Sequence, residues 1–147
     1  MSIFSMLEIS GSAMAAQRQR AEVVAANMAN ADTTRTAEGG PYRRKEVVFA
    51  SSGSSPFQLL LAGIRRLAGR PVPAVRVSRI VNDPAPPVLR YEPNHPDADK
   101  DGYVAYPAIN PIAEMVDLMG AVRSYQLNAA AVSASKQMIQ GSMDILK

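Results

Sequence analysis

The sequence predicts a mainly α protein in which two long terminal helices flank a small β subdomain. Two observations lead to this prediction. The last quarter of the chain repeats apolar residues at heptad spacing and contains no proline after Pro111. Prolines and glycines divide the middle of the chain into short stretches that alternate apolar and polar residues, which is typical of strands.

The amino-acid composition limits the class of protein. The 147 residues are 47% hydrophobic but only 5% aromatic, with no tryptophan and no cysteine. Helix contacts through small side chains are therefore favoured over a thick core, and disulfides and thiolate metal sites are excluded. No apolar run approaches the roughly 18 residues needed to cross a bilayer. The N-terminus lacks a positive region followed by a long apolar one, so we expect no cleavable secretory signal.

The first long helix is predicted from Ile3 to about Ala31. Asn27 and Asn30 lie near its end. Asparagine caps helices and tolerates left-handed backbone, so we interpret both as residues that terminate the helix. The helix packs either along the second long helix or on a local globule. Its apolar residues recur at heptad-like spacing, at Leu7, Met14, Ala21, Val24 and Met28.

The second long helix is predicted from Pro111 to the end of the chain, with Asn110 as its side-chain cap. At 1.5 Å per residue it would be about 55 Å long. One small globule cannot cover so long an apolar stripe, so we expect it to pack on another segment of this chain or on other chains. The carboxylates of Glu114 and Asp117 lie near the N-terminus of this helix, where they interact favourably with the helix dipole. Its seam consists of Met115, Leu118, Val122, Tyr125, Ala129, Val132, Lys136, Ile139, Met143 and Leu146.

These patterns divide the chain into three segments. Residues 1–36 form the N-terminal helix, residues 37–109 an extended loop with the β subdomain, and residues 110–147 the C-terminal helix. Within the middle segment we expect a flexible insertion at about 51–71. Residues 51–56 are a flexible linker by composition, and 57–67 have the pattern of a short basic amphipathic helix. The predicted strands are 46–49, 74–81, 88–91 and 102–106.

The titratable residues form no catalytic constellation. His95 is the one histidine, and no serine lies in a nucleophile-elbow setting, so we predict neither an enzyme nor a cofactor. The basic run that begins at Arg43 has no aromatic platform beyond Tyr42, which argues against nucleic-acid binding.

An aspartate-rich loop imitates the start of a calcium-binding loop. Asp97, Asp99 and Asp101 alternate before Gly102, but Ala108 stands where such a loop requires a bidentate glutamate. We therefore interpret the loop as a polar turn whose aspartates bind their own backbone, and we expect no metal.

Three blocks of the sequence resemble bacterial flagellar basal-body rod proteins. The resemblance is strongest to the subunits of the proximal rod. The residues of the three blocks stand in the family's order. The chain departs from the family at Ala74-Val75 and at Ala108-Ile109, and the insertion at 51–71 has no counterpart. The first block contains Asn27, Asn30, Thr33, Gly39, Gly40, Pro41, Tyr42 and Arg43; the second contains His95, Pro96, Asp97, Asp99, Gly102 and Tyr103; the third contains residues 114–118, Arg123, Tyr125 and Asn128.

The resemblance implies a structural subunit of the proximal rod, the periplasm-spanning drive shaft that transmits torque for motility. Similar axial proteins pair their terminal helices as a coiled coil, stack into a tube, and leave the cell through the flagellar type III export apparatus. The implied partners in a homo- and hetero-oligomer are other proximal rod subunits, the rod-base junction protein, the MS ring and distal rod proteins. The expected subunit interface is Leu7, Met14, Val24, Met28, Met115, Leu118, Val122, Tyr125, Val132, Ile139, Met143 and Leu146.

Two other function classes remain open from the sequence. A cytoplasmic helical-hairpin adaptor or export chaperone would be monomeric with ordered ends. A metal-regulated accessory domain of an enzyme would use the aspartate loop. Only a rod protein would sediment with basal bodies.

Overall fold

The computed structural model describes residues 3–52 and 74–145, and these form two long helices and four strands. The predicted mainly α architecture with a small β part is confirmed. The insertion predicted at 51–71 lies, from residue 53 onward, outside the described residues. In chain order the elements are α1 (Ile3–Ala29), β1 (Lys45–Ser52), β2 (Ala74–Asn82), β3 (Val88–Tyr91), β4 (Tyr103–Tyr106) and α2 (Pro111–Ile145).

The chain packs as two compact units. Unit 1 comprises the described parts of residues 1–19, 49–78 and 122–147, and unit 2 comprises residues 20–48 and 79–121. Each long helix contributes residues to both units. The division of the sequence into segments 1–36, 37–109 and 110–147 stays a prediction.

Unit 1 packs its helical parts through small side chains. The hydroxyl oxygen of Ser135 on α2 lies 3.2 Å from Sδ of Met6 on α1. The backbone N–H of Val75 donates to the Ser12 hydroxyl at 3.1 Å, which ties the start of β2 to α1. Small residues let the backbones of packed elements approach closely. The most buried described side chains here are Ser10, Ala16 and Ser135.

Helix α1 ends at Ala29, two residues before the predicted end. Asn30 donates to the Ala26 carbonyl twice, from its backbone N–H at 3.1 Å and from Nδ2 at 2.8 Å. Asn30 therefore terminates the helix as predicted. It does so without left-handed backbone, since no described non-glycine residue has a positive φ. The interpretation of Asn27 as a residue that terminates the helix is wrong, because Asn27 lies inside the helix and is fully buried.

The four strands form two separate two-stranded sheets, β1 with β2 and β3 antiparallel to β4. Tyr91 lies opposite Tyr103 in the second sheet, and their rings make an edge contact with centroids 5.4 Å apart. The Arg90 guanidinium lies 4.5 Å from the centroid of the Tyr106 ring. The Tyr106 hydroxyl donates to Glu92 at 2.9 Å, and this bond raises the pKa of Tyr106.

Helix α2 begins as the sequence predicts. The Asn110 side-chain oxygen accepts the backbone N–H of Ile112 at 3.0 Å, and Pro111 occupies the first helical position, where its missing N–H removes no bond. Among the described residues, neither helix has an apolar stretch long enough to cross a membrane.

Gly120→Ala is expected to stabilise the free chain by about 0.5–1 kcal/mol. Gly120 lies within α2, and a Cβ added there meets no atom within 4 Å. Alanine lowers the backbone entropy of the unfolded chain without a clash, so the melting temperature should rise by roughly 1–4 °C. Thermal unfolding followed by circular dichroism measures this, and a lower melting temperature would contradict it.

Candidate functional site

A buried cluster of polar side chains joins α1, α2 and the start of β1 in unit 2. Its centre is Asn27 on α1, which is 0% exposed, and Glu114 on α2, which is 1% exposed. Asn27 Nδ2 donates to Glu114 Oε2 at 3.0 Å, and Arg44 Nε donates to Glu114 Oε1 at 2.7 Å. Each oxygen of the Glu114 carboxylate therefore has a donor from a different part of the chain.

The side-chain amide of Asn27 uses all of its hydrogen-bonding capacity. Nδ2 also donates to the Lys45 carbonyl at 2.9 Å, while Oδ1 accepts the Lys45 N–H at 2.9 Å and the Tyr42 hydroxyl at 3.2 Å. Together with the bond to Glu114, these are the two donors and two lone pairs that an amide offers. The two bonds to Lys45 are the pair that a residue of an adjacent antiparallel strand would make. Asn27 thus fixes the first residue of β1 to α1.

Arg44 connects this cluster to further acidic groups. Its guanidinium donates to Glu114 and to Glu46, and Nη1 lies 3.6 Å from Asp83 Oδ2. Burial lowers the pKa of Arg44, but the hydrogen bonds and charges of Glu114 and Glu46 outweigh it and raise that pKa above its ordinary value. Burial, together with the Glu114 charge, raises the pKa of Tyr42, so its phenol stays a donor. Arg44 therefore stays cationic at neutral pH.

A second ion pair joins the same two helices nearer the surface. Arg20 Nη2 on α1 lies 2.7 Å from Asp117 Oδ1 on α2, and the two side chains are 33% and 40% exposed. Glu114 and Asp117 therefore do more than favour the helix dipole, because each has a specific cationic partner. The partly exposed pair is worth at most about 1 kcal/mol.

The first two motif blocks meet in unit 2, although they are far apart in sequence. The Thr34 hydroxyl donates to Asp97 Oδ2 at 2.8 Å, and Arg35 Nη1 lies 3.7 Å from Asp97 Oδ1. A turn closes the first block, where the Thr36 N–H donates to the Gly40 carbonyl at 2.9 Å. A cavity of about 460 Å³ lies between the two loops and is lined by residues of both.

The aspartate loop uses its carboxylates to shape the turn before β4. Asp99 Oδ1 accepts the backbone N–H groups of Asp101 at 2.9 Å and of Tyr103 at 2.8 Å. The Asp97 N–H donates to Nδ1 of His95 at 3.1 Å. Across the described part of the chain, no three acidic or histidine side chains are grouped so that they could hold a metal ion. Asp99 thus binds its own backbone, as interpreted from the sequence, whereas the Asp97 carboxylate binds the other loop through Thr34 and Arg35.

The residues predicted for the subunit interface have three different environments. On α2 the buried positions among the described residues are Glu114, Ala121 and Ser135, and each precedes a predicted seam residue, Met115, Val122 or Lys136. The most buried line of α2 is therefore offset by one residue from these seam positions, although other seam residues lie half-buried. Among the predicted residues Val24 is buried, Leu7, Met14, Met28, Leu118, Val132 and Ile139 are half-buried, Met115, Val122, Tyr125 and Met143 are exposed, and Leu146 lies outside the described residues.

The residues of the first two motif blocks lie in unit 2 but make different contacts. Asn27 and Tyr42 belong to the buried polar cluster, whereas the Arg43 side chain is exposed. Thr33 accepts the Tyr42 N–H through its carbonyl at 3.0 Å, and its hydroxyl contacts Asn30. The His95 ring makes an edge contact with Tyr106. The cavity is lined in part by Gly39, Gly40, Pro41, Pro96 and Asp97, and the turn before β4 contains Asp99, Gly102 and Tyr103.

Sequence reasoning missed the roles of Glu114 and Arg44. The only available signal was the heptad relation of Glu114 to Ala121, which puts a carboxylate on a helix face with a small apolar residue. Arg44 stood in a basic run that is typical of a solvated surface. Nothing in the local pattern indicates that it reaches a carboxylate 70 residues away.

Comparisons with known proteins agree with the motif blocks. Residues 7–35 match the family described as "Flagella basal body rod protein", and residues 100–145 match "Flagellar basal body rod FlgEFG protein C-terminal". The flagellar basal-body rod protein FlgC of Bacillus subtilis is 42% identical over 151 residues, which cover 100% of both chains. FlgC of Borreliella burgdorferi is 37% identical over 158 residues (100% of this chain, 99% of the relative). FlgC of Salmonella typhimurium is 37% identical over 139 residues (95% and 94%).

The chain belongs to the FlgC family of flagellar basal-body rod proteins. It is a structural subunit of the proximal rod in the flagellar basal body and not an enzyme. The predicted family, function class and location are thereby confirmed. Members of the FlgC family assemble with other basal-body rod components.

Proposed function

We propose that the chain transmits torque by packing the exposed apolar faces of α2 against neighbouring rod subunits. The observation that carries this proposal is a set of large apolar side chains on α2 in unit 2. Ile112, Met115, Val116 and Met119 are 75%, 53%, 60% and 57% exposed. Their spacing puts all of them on one face of the helix.

Contiguous exposed apolar side chains mark interaction surfaces in soluble proteins. Each Å² of this face removed from water would contribute about 25 cal/mol to association. A shaft under torque needs many such contacts, because each one is modest and the sum over neighbours resists shear. Unit 1 offers further exposed apolar residues on the same helix, at Leu127, Met138 and Met143.

We assign the predicted interface residues different proposed roles according to their exposure. The exposed residues Met115, Val122, Tyr125 and Met143 are proposed to contact other subunits. The half-buried residues on α1 and α2 are proposed to support both the fold and the contacts, whereas buried Val24 packs within unit 2. The terminal segments, 1–36 and 110–147, are proposed to form the rod core, with segment 37–109 attached to it.

Other proximal rod subunits, the rod-base junction protein, the MS ring and distal rod proteins are the proposed neighbours. We also propose export through the flagellar type III apparatus. Family membership supports these partners, and the exposed apolar face supports a multi-subunit assembly. The helical-hairpin adaptor is not retained, because the family is one of rod proteins.

Met115→Asp is expected to abolish motility and incorporation into basal bodies while the free chain keeps its fold. The side chain is exposed, so a carboxylate there stays solvated in the free chain but would be buried unpaired in an assembly, at a cost of several kcal/mol. Swimming in soft agar and the protein content of purified basal bodies, in a strain lacking the wild-type chain, measure the effect.

Met115→Leu is the matched control, since it keeps an apolar side chain of similar volume. It should restore swimming and incorporation to near the parent level. Normal swimming with Met115→Asp would refute the proposed contact. An equal loss with Met115→Leu would show that the site requires methionine itself and not burial of an apolar surface.

A further inference from the structure

Helix α2 presents two very different faces in unit 2. The exposed face carries the large apolar residues Ile112, Met115, Val116 and Met119. The face packed against the rest of the unit carries Glu114 and Ala121, which are buried and seven residues apart, with half-buried Leu118 between them. The smaller and more polar face is therefore the one turned inward.

Hydrophobic burial alone favours the opposite arrangement. Burial of an Ile, Met or Val side chain is favourable, whereas burial of a carboxylate has a desolvation cost. Close packing at Ala121 opposes a rotation that would put the larger Val122 in its place, but it does not compensate the desolvation of the Glu114 carboxylate. A further interaction must therefore make the observed face stable when it is turned inward.

We infer that Asn27, Arg44 and Glu114 act together as the determinant of the rotational setting of α2 in unit 2. A shift of one residue turns the helix by about 100°. Such a shift would bring Met115 inward and carry the Glu114 carboxylate away from both of its donors. The buried Asn27 amide would then have an unpaired donor, the Glu114 carboxylate would lose both of its donors, and the half-buried Arg44 would lose one of its carboxylate partners. Together these losses cost more than the apolar gain from one side chain.

The cluster has the geometry that such a role requires. Each Glu114 oxygen accepts from a different segment, at 2.7 Å from Arg44 and 3.0 Å from Asn27. The Asn27 amide has no spare donor or acceptor, because Lys45 and Tyr42 fill the rest. A fully satisfied buried network specifies one arrangement, as a single buried asparagine does in coiled coils. This role is internal to the chain and does not rest on the proposed torque function.

The test uses the absence of cysteine from the natural chain. Single cysteines are introduced at Met119, which is 57% exposed, and at Ala121, which is 0% exposed. The rate of alkylation by N-ethylmaleimide then reports which side of α2 faces solvent. In the parent background the cysteine at 119 should react at least about tenfold faster than the one at 121.

The decisive background is Glu114→Leu combined with Arg44→Met. This pair removes the buried Glu114 charge together with its Arg44 partner, while the other two partners of Arg44, Glu46 and Asp83, stay partly exposed to solvent, so the chain is expected to keep its helical circular dichroism. The ratio of the two alkylation rates should fall at least tenfold, to near one or below. The matched control is Asp117→Leu with Arg20→Met, which removes the partly exposed ion pair between the same helices. It should leave the ratio within twofold of the parent.

Three results would overturn the inference. The first is a parent-like ratio in the Glu114→Leu, Arg44→Met background, which would mean that the cluster adds stability without selecting the face. The second is loss of helical circular dichroism in that background, because the inference requires it to fold with another setting. The third is equally fast alkylation at both positions in the parent. Assembly of the rod does not enter any of these readouts, so a failed Met115→Asp prediction would leave the inference standing.

Discussion

Asn27→Asp is expected to destabilise the protein by about 3–5 kcal/mol at neutral pH. The substitution keeps the shape of the side chain but replaces Nδ2, which donates to Glu114 and to the Lys45 carbonyl, by an oxygen. Two carboxylates would then face each other in a site that is 0% exposed. The lost hydrogen bonds and the repulsion between the carboxylates both destabilise the folded state and leave the unfolded state unchanged. Urea denaturation followed by circular dichroism gives the change in the free energy of unfolding.

Asn30→Asp is the matched control, because it is the same change on the same helix terminus. The Asn30 amide makes an exposed bond to the Ala26 carbonyl, so its loss should cost no more than about 1 kcal/mol. Equal losses in the two variants would show that the buried cluster has no special energetic role. A Glu114→Gln change added to Asn27→Asp should recover part of the loss, since it removes the repulsion.

Gly102→Ala is expected to cost about 2–4 kcal/mol, from two separate sources. Gly102 has a φ of +82°, a conformation that costs an alanine about 1–2 kcal/mol. The added Cβ would also lie 2.9 Å from Cε2 of Tyr91 and 3.3 Å from Cβ of Pro93. These contacts are too short, and displacing the Tyr91 ring disturbs its edge contact with Tyr103. The same denaturation experiment measures the total.

Gly40→Ala separates the two sources. Gly40 also has a positive φ, +74°, but an added Cβ there meets no atom within 4 Å. It should therefore show only the backbone cost of about 1–2 kcal/mol. If Gly40→Ala and Gly102→Ala destabilise the protein equally, the contact between the added Cβ at position 102 and the Tyr91 ring contributes nothing to the cost.

Local chemistry made most of the secondary structure predictable. The Asn110 cap and Pro111 mark the start of α2 because both act within one helical turn. The strand at Val88–Tyr91 was predicted at its observed bounds, since proline and charged residues limit it on both sides. The end of α1 was misplaced by two residues, because Asn30 closes the helix by returning to Ala26.

The orientation of the helix faces was not predictable in the same way. Heptad spacing gave Met115 and Val122 as the seam because they are the larger apolar residues. Ala121, one position earlier, is buried instead, because the neighbouring polar cluster involves segments from three parts of the chain. A hydropathy pattern does not predict that Asn27 and Glu114, which are far apart in sequence, form a hydrogen bond.

By itself, the sequence determined two long terminal helices, a short β part between them and membership in a family of rod proteins. These follow from periodicity, capping and motif residues, each of which acts over a few neighbouring positions. Only the tertiary structure decided that Glu114 faces inward and that Met115 and Met119 face outward. The physical reason is that a buried carboxylate is stable only where donors from distant segments converge, and the linear order of residues does not state which segments those are.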